Sequence, residues 1–393
     1  MQELQSFFYE PPQNKNPLKK LLGLHIEYES RVFGLDVFRA IAILIVVMGH
    51  GGFIIDKVLP GFPYIPMIDG VELFFVLSGF LIGTILLKIY QKNDGINFSE
   101  LVSFWKRRWF RTIPNYYLIL GINVILVSNG IIKGDIEKFS WKFLFFLQNF
   151  NTYFTDFFWE SWSLTIEEWF YIFTPLTIFL IHKIAGKNIS GKNLMLLTIA
   201  IFIFIPLIFR YQMSAEQVDP FWFDVKFRKV VLARLDAIMF GVFFAWVKFY
   251  YPSLFKKIAL PLFIIGLIAV FSVMYLIKLD PVGFYAKTIY FSIIGFSASL
   301  LLPYADSVKS FKLPFGKAIT HISIISYSMY LVNLALVAQV IEVHFMPETK
   351  IAAILTYFIY WSVVIILSTL LYKFFEKPMM DLRDFSTKKT NIV

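Results

Sequence analysis

The sequence predicts an all-α integral membrane protein, a bundle of about ten transmembrane helices with both termini in the cytoplasm. Three observations lead there. First, 58% of the 393 residues are hydrophobic, 19% are aromatic and only 16% are charged, whereas soluble domains are about 45–50% apolar. Second, apolar stretches long enough to cross a bilayer recur along the whole chain, each needing about twenty residues. Third, Lys and Arg gather in alternate loops, as the positive-inside rule requires.

Ten stretches qualify: 37–55, 70–90, 114–132, 160–184, 194–211, 229–250, 257–277, 284–304, 317–342 and 351–375. The piece FLFFLQNF, 143–150, is too short to span and reads as a re-entrant or interfacial helix. There is no internal repeat and no low-complexity tract. The domains are therefore a cytoplasmic segment 1–36, a transmembrane domain 37–376 and a cytoplasmic tail 377–393. The polar N-terminus lacks an apolar leader core, so no cleaved signal peptide is expected.

Orientation rests on Lys15, Lys19, Lys20 and Arg31 before the first span, and on Lys92 and Lys106–Arg111 after the second. Later alternate loops carry Lys183, Lys187 and Lys192, then Lys256 and Lys257, then Lys309 and Lys312, and the tail carries Lys377, Arg383, Lys388 and Lys389. The first outer loop has only Lys57, but a later one breaks the trend with Lys226, Arg228 and Lys229. The net charge of +10 is read as this topological bias, not as nucleic-acid binding. The absence of cysteine excludes disulfides and thiol catalysis.

Ionisable groups at membrane depth are costly and usually face a cavity or a partner. Arg39 and His50 are eleven residues apart. At 100° per residue they share a helix face, roughly 16 Å apart along the axis, which puts His50 near mid-membrane. Arg39 either snorkels or binds a ligand. His50 either bonds a neighbouring helix or does chemistry, and the two glycines after it would let a substrate approach. Glu72, at the outer mouth of the second span, is a helix-start carboxylate or a substrate ligand. Gly79 and Gly83 form a small-xxx-small packing pair.

In FWKRRWFRTIPNYY, 104–117, the cations Lys106, Arg107, Arg108 and Arg111 precede the third span. Arg108 and Arg111 share a face, and guanidinium pairs grip phosphates. The alternative is topology and anionic lipid. Trp105, Trp109 and Pro114 suit an interfacial helix followed by a span start. Ser163, Glu167 and Tyr171 lie at i, i+4 and i+8. Glu167 there would orient an imidazole or accept from a sugar, while Trp159, Trp162 and Trp169 form an interface belt or stack on a sugar. Arg234 and Asp236 do not share a helix face and read as structural pairs or substrate ligands. Ser326, Tyr330 and Asn333 read as inter-helix glue. No HExxH or paired His/carboxylate spacing calls for a metal.

Taken in order, these stretches resemble the membrane acyltransferase-3 family. The shared features are GLDVFRAIAIL with Arg39-x10-His50, ELFFVLSGFLI, Arg108-x-x-Arg111-x-x-Pro114-x-Tyr116, WSLTIEEWFY, RLDAIMFG, SYSMYL and FEKP, over roughly residues 30–380. Where many relatives have SYSLYLWH, this chain has SYSMYLVN, so Asn333 stands in place of a histidine. No esterase domain is expected to be fused to it.

The resemblance implies acyl transfer, acetyl above all, from cytoplasmic acyl-coenzyme A to a hydroxyl of a cell-surface glycan or lipid-linked sugar, in the inner (plasma) membrane. Under it, His50 is general base or acyl carrier, aided by Arg39 and Glu167. Arg108, Arg111, Arg107 and Lys106 hold coenzyme A. Glu72, Trp162, Ser163, Tyr171, Arg234 and Asp236 bind substrate. A histidine of ordinary pKa, about 6.5, suits that base role. The competing class is a transporter or flippase of a glycan or lipid, which the missing inverted repeat disfavours.

Overall fold

A computed structural model describes residues 31–382, apart from 57, 61–68, 155–156, 277–279, 281–282 and 311–314. Lys15, Lys19, Lys20, Lys57, Lys312, Arg383, Lys388 and Lys389, on which part of the topology argument rests, lie outside the described residues, as does the Lys187 side chain.

Among the described residues the regular structure is entirely helical. Eight helices are long and apolar enough to cross a membrane. They are α1 (Phe33–Ile55), α2 (Gly70–Asn93), α3 (Phe98–Ser128), α4 (Ser161–Ala185), α5 (Gly191–Met213), α7 (Pro252–Tyr275), α10 (Gly316–His344) and α11 (Lys350–Leu382). Between them lie α6 (Leu235–Tyr250), α8 (Tyr290–Ser299) and α9 (Leu302–Ser307).

Two of the ten expected spans therefore differ. Expected span 229–250 shortens to α6, 16 residues long, or roughly 24 Å. It starts late because Arg234, at φ −134° and ψ 3°, breaks out of helical geometry. Expected span 284–304 divides into Phe284–Thr288, α8 and α9. One guanidinium sits at the late start of α6 and at the break after Thr288. Arg210, at the end of α5 and wholly buried, donates from Nε to the Thr288 carbonyl at 2.7 Å and from a terminal nitrogen to the Ala233 carbonyl. Backbone carbonyls taken this way no longer serve a helix ladder.

Local signals fix the other ends. Asp69 accepts from the Val71 amide at 2.9 Å to start α2, and Asn97 with Glu100 forms a capping box for α3. Pro114 does not divide an interfacial helix from a span, because α3 runs unbroken through it for 31 residues. That length, roughly 46 Å, exceeds a hydrocarbon core of about 30 Å, so the first turns, which carry Glu100, need not enter lipid. FLFFLQNF is not a membrane helix. It holds the end of a five-residue 3-10 turn, Trp141–Phe145, and is then pinned by Asn149, whose amide donates to Lys229 O at 2.5 Å and Trp162 O at 3.1 Å.

α2 and α6 touch backbone to backbone. A methyl group on Gly79 would stand 1.8 Å from the Ile238 carbonyl oxygen, and one on Gly241 would stand 1.9 Å from that of Val76. The small-residue pairing read at Gly79 and Gly83 is thus a packing seam. Of the glycines around His50, Gly51 makes room for the Tyr360 ring, not for a substrate, and a methyl there would meet the ring at 2.3 Å. Gly49 faces open space instead. Gly241→Ala should destabilise the protein by about 2 kcal/mol through overpacking, while Gly49→Ala leaves the melting temperature unchanged; thermal unfolding of the two variants in detergent checks the contrast.

Candidate active site

α1 and α10 lie side by side and present polar residues at matching heights. Near the start of α1, Asp36 accepts from Ser323 Oγ at 2.7 Å and from Arg31 at 2.5 and 2.8 Å. Arg39 reaches the same serine at 3.4 Å. Near the other end, His50 Nδ1 lies 2.5 Å from Asn333 Oδ1. The Asn333 amide nitrogen donates to the Met329 and Tyr330 carbonyls, both at 2.8 Å. Carbonyls only accept, so the amide is fixed with its oxygen toward the ring. That oxygen also only accepts, so Nδ1 carries the proton and Nε2 keeps its lone pair. The helix here opens into a wide π turn, Asn333–Ala338, a distortion frequent at functional sites.

His50 lines a cavity of about 460 Å³ with Gly49, Asp69, Trp159, Glu160, Trp162, Arg228, Lys229 and Tyr330. Of the three cations that broke the charge trend, Arg228 and Lys229 are therefore cavity residues, while Lys226 pairs with Glu216. The Arg228 guanidinium sits 4.8 Å over Trp162 and Lys229 Nζ 4.6 Å over Trp159. Arg228 also pairs with Asp69 and, at 2.8 Å, with Asp224, and Lys229 with Asp224 at 2.6 Å. Burial, and after it the neighbouring Arg234, lower Arg228 to about 10, which leaves it cationic at neutral pH. Trp162, expected to stack on a sugar, has one ring face covered by Arg228 and packs edge-on to Phe75.

A second, smaller cavity of about 100 Å³ lies toward the Arg39 end, lined by Arg39, Ser78, Arg108, Arg111, Ser163, Glu167 and Tyr171. Glu167 accepts from Ser78 Oγ and Tyr171 OH, both at 2.9 Å. It belongs to this cavity and makes no contact with His50; the residue that orients the imidazole is Asn333. Arg108 and Arg111 form no ion pair among the described residues, and Arg108 lies 5.6 Å over the Tyr171 ring. Arg107 is exposed, and neither it nor Lys106 lines the cavity, because only Arg108 and Arg111 fall on the inward face of α3.

Tyr330 and Val71 line both cavities. Tyr330 OH shares a 2.5 Å hydrogen bond with Ser163 Oγ and donates to the Glu160 carbonyl at 2.9 Å. The phenol thus forms part of the wall between them.

Three residues expected to bind substrate line neither cavity. Glu72 is buried and ion-paired with Arg234, and Asp236 pairs with Arg210 at 2.8 Å and accepts from Ser292 Oγ at 2.5 Å. All are internal braces, and Arg210 escaped the sequence reading because it sits near the polar end of its span. The other described histidines are also braces: His182 bonds Tyr90, His321 bonds Thr369 and His344 bonds the Ile131 carbonyl. Among the described residues no group of three His, Asp or Glu suits a metal.

The family profile described as an acyltransferase domain matches residues 32–373. The chain belongs to the acyltransferase-3 family. Relatives are O-acetyltransferase OatA of Staphylococcus aureus (strain NCTC 8325 / PS 47), 27% identical over 376 residues, and a putative O-acetyltransferase of Staphylococcus aureus (strain COL), 28% identical over 385 residues. Each alignment covers 88% of this chain, and 57% and 56% of the respective relatives, so the chain spans a little over half the length of the curated relatives it matches. No solved structure matches it. With its eight apolar helices, this acyltransferase-3 member is a multi-pass membrane protein, and the family gives no support to the transport alternative.

Removing one partner of a buried ion pair leaves the other uncompensated and costs about 3–5 kcal/mol. Asp236→Ala should therefore unfold the protein in detergent at much lower temperature, and Arg210→Met with Asp236→Leu should recover part of the loss, as followed by thermal melting. A substrate-binding role would predict a stable Asp236→Ala.

Proposed function

We propose that this protein transfers an acyl group, acetyl in the first instance, from cytoplasmic acyl-coenzyme A to a hydroxyl of a cell-surface polysaccharide or lipid-linked sugar, across the inner (plasma) membrane, with both termini in the cytoplasm. The observation that carries the reading is the His50–Asn333 hydrogen bond, which leaves Nε2 as the lone-pair nitrogen of a ring that lines the larger cavity. The names of the relatives, O-acetyltransferases, supply the group.

In this reading His50 Nε2 removes the proton from the acceptor hydroxyl as its oxygen attacks the thioester carbonyl. The carbon–sulfur bond breaks and the coenzyme A thiol leaves with that proton. The same nitrogen would serve if the acyl group first rests on the imidazole. Asn333 holds the ring and its tautomer, as the third member of a nucleophile–base–orienter set does.

The smaller cavity suits the donor. Three guanidiniums, Arg39, Arg108 and Arg111, face one carboxylate, Glu167, and two of them have no ion-pair partner. Such a set favours phosphate oxygens and a thioester carbonyl. At about 100 Å³ the cavity fits the acyl-pantetheine end, with the nucleotide left outside, where Lys106 and Arg107 are. Glu167, Ser163 and Tyr171 order the arginines and the wall. Glu72, Arg234 and Asp236 act on substrate only through the frame.

His50→Ala should lower transfer by about three orders of magnitude, within the range for a lost acid–base group, while the protein still reaches the membrane. Asn333→Ala should lower it by about tenfold. Arg108→Ala should weaken acetyl-coenzyme A binding about tenfold at low salt, and wild-type binding should itself weaken as salt rises. Mass spectrometry of surface glycans from cells with each variant, and binding of labelled acetyl-coenzyme A to purified protein, read these out. Wild-type acetylation by His50→Ala would overturn the assignment.

A further inference from the structure

Glu160 lines the same cavity as His50. It occupies the position before α4, where a side chain would ordinarily cap the helix, yet it caps nothing. It is 2% exposed, and among the described residues neither carboxyl oxygen has a hydrogen-bond partner of full geometry. Its backbone carbonyl is taken by Tyr330, but its side chain lines the His50 cavity. A buried unsatisfied polar group needs an explanation, and a carboxyl costs more to bury than most.

The groups around it do not supply one. Of the other titratable or charged residues on that cavity, Arg228 is engaged by Asp69 and Asp224, Lys229 by Asp224, His50 by Asn333 and Tyr330 by Ser163. Among the described residues no cation forms an ion pair with Glu160. Burial pushes its carboxyl up to about 8, against a smaller downward pull from the Glu160 and Ala335 amides. At neutral pH it is therefore mostly the neutral acid, with one O–H donor and acceptor capacity to spare. Adjacent hydroxyls on a sugar offer the same mixture of donor and acceptor. A neutral carboxylic acid kept as a hydrogen-bond donor is an established use of an apolar site.

We propose that Glu160 binds the acceptor, its carboxyl exchanging hydrogen bonds with hydroxyls of a sugar seated beside His50. The proposal rests on the acyl-transfer reading and adds to it the residue that selects a polyhydroxylated acceptor. Sites that hydrogen-bond a substrate hydroxyl discriminate strongly against ligands that lack it.

Two nearly isosteric variants separate binding from architecture. Glu160→Met fills the space without hydrogen bonds, and Glu160→Gln keeps a neutral donor and acceptor. Envelopes from cells carrying each form, with their own acceptor in place, would be incubated with acetyl-coenzyme A labelled in the acetyl group. Glu160→Met should incorporate less than a tenth of the wild-type label, although the purified variant melts no lower and binds acetyl-coenzyme A as wild type does. Glu160→Gln should stay within about twofold. Wild-type incorporation should decline as pH rises through about 8 and the acid ionises, and Glu160→Gln should not share that limb. Wild-type labelling by Glu160→Met, or equal losses in both variants, overturns the role of Glu160. Wild-type envelopes that take up no label overturn the acyl-transfer reading itself, and the acceptor role falls with it.

Discussion

The frame of this protein depends on a buried arginine. Arg210 joins the end of α5 to the starts of α6 and α8 through two backbone carbonyls, Asp236 and Ser292. Away from water such a group is tolerated only when its donors are satisfied, and here they are spent on places where helices break. Next to it, Arg234 reaches Glu72 on α2 and, at 3.5 Å, the Arg228 carbonyl. The segment that brings Arg228 and Lys229 to the His50 cavity is thereby tied to the same buried charges. What looks like a set of substrate ligands in a hydropathy plot is the bracing of the site.

The helical class, the seam at Gly79 and the pairing of Arg39 with His50 on one face were legible because each follows from period and spacing alone. A charged residue twenty degrees from another on a helix wheel needs no tertiary knowledge to be placed. The ten-span count was less secure, since two apolar stretches break where Arg210 makes hydrogen bonds from another helix. Hydropathy registers composition and is blind to a carbonyl diverted from its ladder.

The site residues divide the same way. Arg39, Arg108, Arg111, Ser163, Glu167 and Tyr171 meet in one cavity because their spacing puts them on inward faces of three helices. Asn333 reads in the sequence as inter-helix glue and as a departure from the family pattern, but its partner is not legible there, because its hydrogen bond to His50 spans 283 positions of chain. Arg228 and Lys229 did leave a trace, as the cations that violate the charge rule. Glu160 left none, since a glutamate before a helix ordinarily signals nothing beyond a favourable end charge.

The Tyr330 wall has a consequence for the cell as well as for the reaction. Two polar cavities stacked along α1 and α10, if joined, would form a wet thread through the low-dielectric slab, and such threads conduct protons and ions. The phenol, anchored to Ser163 and to the Glu160 carbonyl, stands between the two cavities as a shared aromatic partition. A ring that separates two polar cavities in this way also interrupts any continuous file of water between them, so the same side chain that shapes the site keeps the bundle from being a pore.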